Sequence, residues 1–175
     1  PIGKAAHDAG MKFLLWFEPE RIAPGTFMAL EHPEWVLMPP PDRMGYGGTF
    51  RLDLPEARDY GTRYLDTAIK AYGVDCLRID NAVDYGVMWF LQDDADPARA
   101  GVGEIRYVEG LYQQWDTLLA KNPGIFIDNC ASGGQRIDLE TCARSIPLWR
   151  TDGTIGPLLT KDYNEAALRN QVMTA

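Results

Sequence analysis

The feature that most constrains the fold is the alternation of short apolar runs with amphipathic segments. The apolar runs are residues 11–18, 74–80, 124–129 and 145–151. Strands that are apolar along their whole length are typical of parallel sheets with helices on both faces. We therefore predict an α/β fold of about four consecutive parallel βα units, in which these runs are neighbouring strands whose C-terminal ends share one face.

The segments between the runs show helical periodicity or turn composition. Apolar residues recur at helical spacing over 60–72 and over 104–121, and the second stretch ends at Asn122-Pro123. A Pro/Gly-rich loop covers 39–48, and a short helix is predicted over about 135–144.

Polar residues follow every apolar run. At or just past the ends of the four runs lie Glu18 and Glu20, then Asp80 and Asn81, then Asp128, Asn129 and Cys130, and finally Asp152. The carboxyl ends of parallel strands line the ligand site in α/β proteins. A single Asp in this position is often only the N-cap of the next helix. Four strand ends that all carry acids favour a site.

Composition limits the kind of ligand. The chain has 175 residues, 46% hydrophobic and 24% charged, with a formal net charge of -8, which is typical of one globular domain. An acidic chain without a Lys/Arg-rich face argues against nucleic acid and against an anionic membrane surface. A small neutral or cationic molecule is the expected partner.

The cysteines and histidines indicate neither a metal site nor a cofactor. Cys76, Cys130 and Cys142 show no CxxC or Cys/His spacing and are interpreted as reduced thiols. His7 and His32 lie away from the strand ends, which disfavours a metal-dependent hydrolase. No apolar run approaches the roughly 20 residues of a membrane span. We expect a cytoplasmic protein, with the question of a signal peptide before Pro1 left open.

Four motifs carry a family resemblance. The stretches KFLLWFEPE, LRID, IDNCASGGQRIDLET and PLWRTD, in this order, resemble successive motifs of the melibiase family of α-galactosidases, glycoside hydrolase family 36. The resemblance implies a TIM (β/α)8 barrel, normally flanked by β-domains, that hydrolyses terminal α-linked galactose with retention. Since such a barrel needs about 200 residues or more, residues 1–175 are expected to be a fragment of one barrel catalytic domain, without the flanking domains and inactive when isolated.

The same resemblance implies roles for individual residues. It places the nucleophile at Asp80 and the acid/base at Asp152. Its implied sugar contacts are Trp16, Arg78, Cys130, Gly133 and Trp149. For Trp149 core packing remains an alternative, as plain burial does for Cys130.

These roles are chemically consistent. Retaining glycosidases need two carboxyl groups about 5–5.5 Å apart. Arg78 lies two residues before Asp80, so both side chains should point the same way, and we predict that the arginine keeps the pKa of Asp80 low. Trp16 and Trp149 suit stacking on the apolar face of a sugar. Gly133 and Gly134 form either a simple turn or a close backbone approach to a ligand.

The chain also departs from the family pattern. Ala82 stands where the family usually has Asn, and Arg78 stands where Lys is frequent. The arginine that the family places before the LDL motif has two candidates here, Arg43 and Arg51. These departures bear on sugar preference more than on the chemistry.

Two other functions remain open. A transferase of the raffinose-synthase kind would move galactose to another sugar instead of to water. A non-catalytic carbohydrate-binding barrel would be expected to lack Asp80 or Asp152, and both are present. The expected partner is a small α-galactoside, and the full-length protein could form a homo-oligomer.

Overall fold

The computed structural model describes residues 2–45, 47–83, 85–149 and 152. The helices are α1 (Ile2–Asp8), α2 (Phe27–Glu31), α3 (Pro55–Tyr72), α4 (Tyr85–Ala95), α5 (Val102–Lys121), α6 (Ala131–Gly134) and α7 (Leu139–Cys142). The strands are β1 (Leu14–Phe17), β2 (Arg21–Ile22), β3 (Val36–Leu37), β4 (Gly48–Phe50), β5 (Cys76–Ile79) and β6 (Phe126–Asn129).

The main sheet is parallel, with the strand order β1-β5-β6. Trp16 pairs with Arg78, and Arg78 pairs with Asp128, so these three side chains form one row across the sheet. The helices α3 and α5 lie in the connections between its strands, where helical periodicity predicted helices. The parallel arrangement of the first three runs and the α/β class are thereby confirmed.

The opposite face of this sheet forms the core. Leu77 and Ile127 are fully buried and adjacent in register. They belong to one apolar cluster with Trp115 and Leu118 of α5 and Leu65 of α3. Burial of these side chains against two long helices supplies the main apolar stabilisation of the described chain.

The ends of α3 and α5 follow from local sequence. Pro55 occupies the first turn of α3, and Gly73 ends this helix in a left-handed conformation with φ 68°, its N–H bonded to the Ile69 carbonyl. Asn122 follows α5 and donates from its side chain to the Leu118 carbonyl and to Asp66, which joins the two helices.

The fourth predicted strand was wrong in its described part. Residues 145–149 form no strand, and residues 150 and 151 lie outside the described residues. The Ile146 N–H donates to the Ile127 carbonyl at 2.8 Å, which begins a ladder along β6. The next N–H that could extend this ladder along β6 is that of Leu148, and it donates to the Asp128 side chain instead.

A small antiparallel sheet went unpredicted. Strands β2, β4 and β3 pair in that order between β1 and α3. Strands of two or three residues are too short to show a period of two in the sequence.

The helix predicted over 135–144 is shorter in the structure, because only Leu139–Cys142 is helical there. The short element α6, which precedes it, is called the 131–134 turn from here on. Asp138 caps α7 by accepting from the amides of Glu140 and Thr141.

Within the described ranges, no helix is both long enough and apolar enough to cross a membrane. In the same part of the chain, no group of three or more His, Cys, Asp or Glu side chains is placed to hold a metal ion.

Gly110 allows α5 to approach the chain before α3. A Cβ at this position would lie 2.1 Å from the Leu52 carbonyl oxygen. We expect Gly110→Ala to lower the free energy of unfolding by about 1–3 kcal/mol, although Ala is the better helix former. Thermal or urea denaturation measures this change. The exposed neighbour Glu109→Ala is the control with little effect, and a stabilised Gly110→Ala would contradict the packing.

Asp75 joins the starts of β1 and β5. Its carboxylate accepts from the Phe13 amide at 2.8 Å, from His7 at 2.7 Å and from Lys12 at 3.0 Å, and these bonds hold the pKa of Asp75 well below its usual range. A lowered pKa stabilises the fold above the unfolded-state value of about 4, and the contribution is lost as the pH falls below it.

We therefore expect Asp75→Asn to lower the unfolding midpoint at pH 7 by about 2–4 °C. The difference from the unaltered protein should shrink as the pH falls below about 4. Melting curves across this range test the effect, and Asp8→Asn, which removes only an exposed pair with Lys4, is the control. A constant difference at all pH values would speak against the ionic origin.

Candidate active site

The C-terminal ends of β1, β5 and β6 bring most of the predicted site residues together. Trp16, Arg78 and Asp128 share one row of the sheet. Asp80 and Cys130 lie two residues further along β5 and β6, on the same side. The Asp80 and Cys130 amides donate to Phe17 and Ile79 carbonyls, so the parallel pairing continues past the strands.

Arg78 and Asp128 form an ion pair within the row. The Arg78 Nη1 lies 2.5 Å from Asp128 Oδ2, and the Asp128 side chain is 1% exposed. The other oxygen of Asp128 accepts from the Leu148 amide at 2.9 Å. Sequence reasoning listed Asp128 as a strand-end acid without this partner. The sequence signal for this pair was its position. Arg78 lies two residues before Asp80, and Asp128 lies two residues before Cys130, so equivalent positions on neighbouring strands carry opposite charges.

Asp80 accepts several hydrogen bonds. Its Oδ1 accepts from the Asn81 amide at 2.8 Å and from the Ser132 amide at 3.1 Å. Its Oδ2 lies 3.3 Å from the indole Nε1 of Trp16, and the Cys130 thiol is a further partner. Backbone donors therefore concentrate on one oxygen and leave the other facing Trp16.

These donors favour the ionised form of Asp80. Partial burial alone would raise the pKa of Asp80, but the amides of Ser132 and Asn81, together with Cys130 and Trp16, outweigh it, so the pKa lies below its ordinary value. Our prediction that Arg78 causes this shift was wrong as to the principal cause. The arginine is engaged by Asp128, and backbone N–H groups are the main stabilisers of the Asp80 anion.

Cys130 is buried and neutral. Burial raises the pKa of the Cys130 thiol to about 11, with the Gly133 amide opposing the shift and Asp80 adding to it. A thiol that stays protonated can donate its S–H to the Asp80 carboxylate. The plain-burial alternative is therefore incomplete, because this buried cysteine also contacts the candidate nucleophile.

The 131–134 turn presents the Ser132 amide to Asp80. Ala131 and Ser132 have φ of 50° and 49°, and Gly133 and Gly134 also have positive φ. A left-handed conformation costs a residue with a side chain roughly 1–2 kcal/mol. The Ser132 hydroxyl also donates to the Asn81 carbonyl at 2.5 Å, so this strained turn is bonded directly to the end of β5.

Trp149 and Asp152 contact one another. The indole Nε1 of Trp149 donates to Asp152 Oδ1 at 2.7 Å, and Asp152 is exposed. The amide of Leu148, next to Trp149, binds Asp128, which links this segment to the row. Residues 150, 151 and 153–175 lie outside the described residues, and the separation of the Asp80 and Asp152 carboxyls stays a prediction.

The two glutamates after β1 do not act as predicted rim acids. Glu18 forms an ion pair with Arg21. Glu20 is fully buried in what we call the Glu20 cluster, formed by Glu20, Tyr85, Tyr107 and Arg136. Sequence reasoning missed this cluster, because its members come from four separate segments and share no spacing.

A cavity of about 870 Å³ lies beside Asp80. Its lining includes Asn81 and Ser132, which both bond to Asp80, together with Tyr85, Trp89 and Arg136. Arg43, one of the two arginines weighed above, also lines this cavity, whereas Arg51 is paired with Asp53. The volume is within the usual range for small-molecule sites.

Known proteins match nearly the whole chain. The melibiase family profile matches residues 1–156. The α-galactosidase of Escherichia coli is 30% identical over 157 residues, covering 87% of this chain and 21% of its own length. α-Galactosidase Mel36A of Lactobacillus acidophilus is 28% identical over 153 residues, covering 85% of this chain and 20% of its own length. The chain thus spans about a fifth of these curated relatives.

Solved structures show the same fold. The crystal structure of the α-galactosidase from Lactobacillus brevis has a TM-score of 0.74 at 24% identity, covering 97% of this chain and 22% of the other. A GH36 α-galactosidase AgaA structure from Geobacillus stearothermophilus, in complex with 1-deoxygalactonojirimycin, has a TM-score of 0.75 at 19% identity, covering 99% and 24%. With the profile match over residues 1–156, the chain belongs to the melibiase family.

Proposed function

We propose that this chain is part of the catalytic domain of a retaining α-galactosidase, with Asp80 as nucleophile and Asp152 as acid/base. The observation that carries the proposal is the environment of Asp80. Its carboxylate lies at a strand end, is kept ionised by two backbone amides, and leaves Oδ2 toward Trp16. An anionic carboxylate held rigidly at a site edge is the group that a double displacement needs.

In the first step, Asp80 Oδ2 would attack the anomeric carbon. The bond from that carbon to the leaving oxygen breaks, and Asp152 gives the leaving oxygen its proton. In the second step, Asp152 takes a proton from water, whose oxygen attacks the same carbon and releases Asp80 as the carboxylate. The second step returns the proton to Asp152 and frees the Asp80 carboxylate. Because the anomeric carbon is attacked twice, its configuration is retained.

The remaining predicted residues would bind the sugar. The Trp16 indole is half exposed on the site side of β1, as stacking on a pyranose requires. Arg78 is fixed by Asp128 and can direct its free N–H groups to hydroxyls. Gly133 lies next to Ser132, whose amide binds Asp80, and Trp149 lies next to Leu148, whose amide binds Asp128.

The substrate class that we propose is a small α-galactoside oligosaccharide. Crystal structures of variants of the AgaA enzyme of Geobacillus stearothermophilus contain raffinose in one case and stachyose in another. The cavity beside Asp80 is large enough for a further sugar unit. We extend the same substrate class to the full-length protein that contains this chain.

The described strands would be consecutive members of a TIM barrel. In the described chain β1 pairs only with β5, and Leu14 and Trp16 of β1 are 42% and 50% exposed. In a closed barrel another strand would pair with this edge. The resemblance in fold to whole α-galactosidases supports this arrangement.

We expect residues 1–175 expressed alone to self-associate through the β1 edge, because an unpaired apolar strand templates pairing with another copy. Leu14→Lys should reduce this association, and Met11→Lys, exposed but before the strand, should not. Size-exclusion chromatography with light scattering measures the state. A monodisperse monomer that unfolds cooperatively would contradict the partial barrel.

The mechanism is tested in the full-length protein on aryl α-glycosides of several sugars. We expect hydrolysis to favour α-galactosides and Asp80→Ala to lower kcat by roughly 10⁴-fold or more. Asp152→Ala should lose about 10²- to 10⁴-fold on poor leaving groups and much less on activated ones, because only the latter leave without protonation. Azide should partly restore Asp152→Ala by attacking the glycosyl-enzyme.

Exposed Asp59→Ala is the control for the loss of a carboxylate away from the site. Equal losses of Asp152→Ala on activated and unactivated substrates, without an azide effect, would remove Asp152 from the acid/base role. Full activity of Asp80→Ala would show that Asp80 is not the nucleophile.

A further inference from the structure

The Glu20 cluster collects one side chain from the segment after each strand of the main sheet. Glu20 follows β1, Tyr85 opens α4 after β5, and Arg136 follows β6, while Tyr107 comes from α5. Arg136 Nη2 lies 2.8 Å from Glu20 Oε1, and both tyrosine hydroxyls donate to Glu20 Oε2. The cluster therefore fixes the relative positions of the chains that leave the sheet at the site.

Arg136 is a buried cation with a single carboxylate partner. The side chains of Glu20 and Arg136 are 1% and 14% exposed. The Nε and Nη1 atoms of Arg136 are buried and have no hydrogen-bond partner among the described residues. Its guanidinium lies 5.9 Å from the Tyr85 ring centroid. A buried guanidinium with two unsatisfied nitrogens is held in place chiefly by its one carboxylate partner.

The 131–134 turn runs between two fixed points. Its start is fixed by the Cys130 amide, which bonds to the Ile79 carbonyl. Beyond the turn, Gln135 is exposed, and Arg136 is the first residue tied to the rest of the fold. Its carbonyl accepts from Asn129 and Thr141, and its side chain reaches Glu20. Between these points the Ser132 hydroxyl adds a bond to the Asn81 carbonyl. The two glycines and two strained residues would relax around this bond if the hold of Arg136 were released.

We propose that Arg136 is a positioning residue: through its buried pair with Glu20 it holds the 131–134 turn in the conformation in which the Ser132 N–H donates to Asp80. This role rests on the proposed nucleophile and adds to it a residue without contact to the sugar. The Ser132 amide is a main donor to the Asp80 anion, so release of the turn would make that anion less stable and less well oriented.

Other groups facing Asp80 would remain unchanged. Arg78 of β5 stays paired with Asp128 of β6, and Cys130 stays buried beside Asp80. On the β1 side, Trp16 keeps its contact with Asp80 Oδ2. A change in the acidic limb of the activity profile after alteration of the Glu20 cluster would therefore arise from the turn.

The test uses the full-length protein with Glu20→Gln and Arg136→Gln combined, so that neither charge is left buried alone. Hydrogen exchange of the peptide covering 130–136 reports the turn without any substrate, and kcat/KM against pH reports Asp80. We expect amide exchange in the turn at least about tenfold faster, kcat about 10- to 100-fold lower, and an acidic limb moved to higher pH.

Arg144→Gln is the matched control, since Arg144 follows the same strand but pairs with Asp116 and Glu140 on the outside. It should change neither readout. If the double variant does not fold, Tyr107→Phe, which removes one donor to Glu20 and keeps the ring, should give smaller changes in the same directions.

Unchanged exchange of the turn would overturn the proposal, as would faster exchange with an unmoved acidic limb. A full-length protein without activity on α-galactosides would instead refute the proposed function. In that case, hydrogen exchange of the peptide covering 130–136 would still show whether Arg136 keeps the 131–134 turn in its conformation.

Discussion

The parallel register of β1, β5 and β6 is the constraint on which the site depends. It aligns Trp16, Arg78 and Asp128 in one row and places Asp80 and Cys130 one pleat beyond. A slip by one residue in either pairing would turn a full set of polar side chains into the helix-covered core. Fully buried Leu77 and Ile127 on the other face make such a slip costly, so the same apolar packing that stabilises the sheet also fixes the geometry of the site.

The sequence predicted the features that depend on short-range patterns. Apolar runs located β1, β5 and β6, and helical periodicity located α3 and α5, because each signal extends over several residues of one segment. The position of Asp80 and Cys130 at one edge followed from the parallel topology. Trp16 and Arg78 were identified as site residues by the family resemblance.

The features that escaped prediction depend on contacts between distant segments. The Arg78 and Asp128 pair joins residues 50 positions apart, and the Glu20 cluster joins four segments. Glu20 and Glu18 were indistinguishable as strand-end acids in the sequence, yet one is fully buried. Residues 145–149 show the reverse case, since an apolar run suggested a strand, yet the Leu148 N–H donates to the Asp128 side chain and does not continue the ladder.

Two largely buried ion pairs lie at this edge of the sheet and have different positions relative to the site. The Arg78 and Asp128 pair lies in the site row and presents a fixed cation to the ligand side. The pair of Arg136 and Glu20 lies behind the 131–134 turn and is shielded by two tyrosine hydroxyls. Because each cation has its own carboxylate, Asp80 is left without a direct ionic partner and is stabilised by amide dipoles, which do not neutralise it.

The protonated state of Cys130 has a consequence for redox chemistry. Oxidants and alkylating agents react with thiolates, and a buried thiol with a pKa of about 11 offers almost none at neutral pH. Cys142, exposed in α7, is the more accessible sulfur of the two and would be oxidised first. The sulfur beside the candidate nucleophile is therefore expected to react with oxidants and alkylating agents more slowly than Cys142, and so to remain a hydrogen-bond donor.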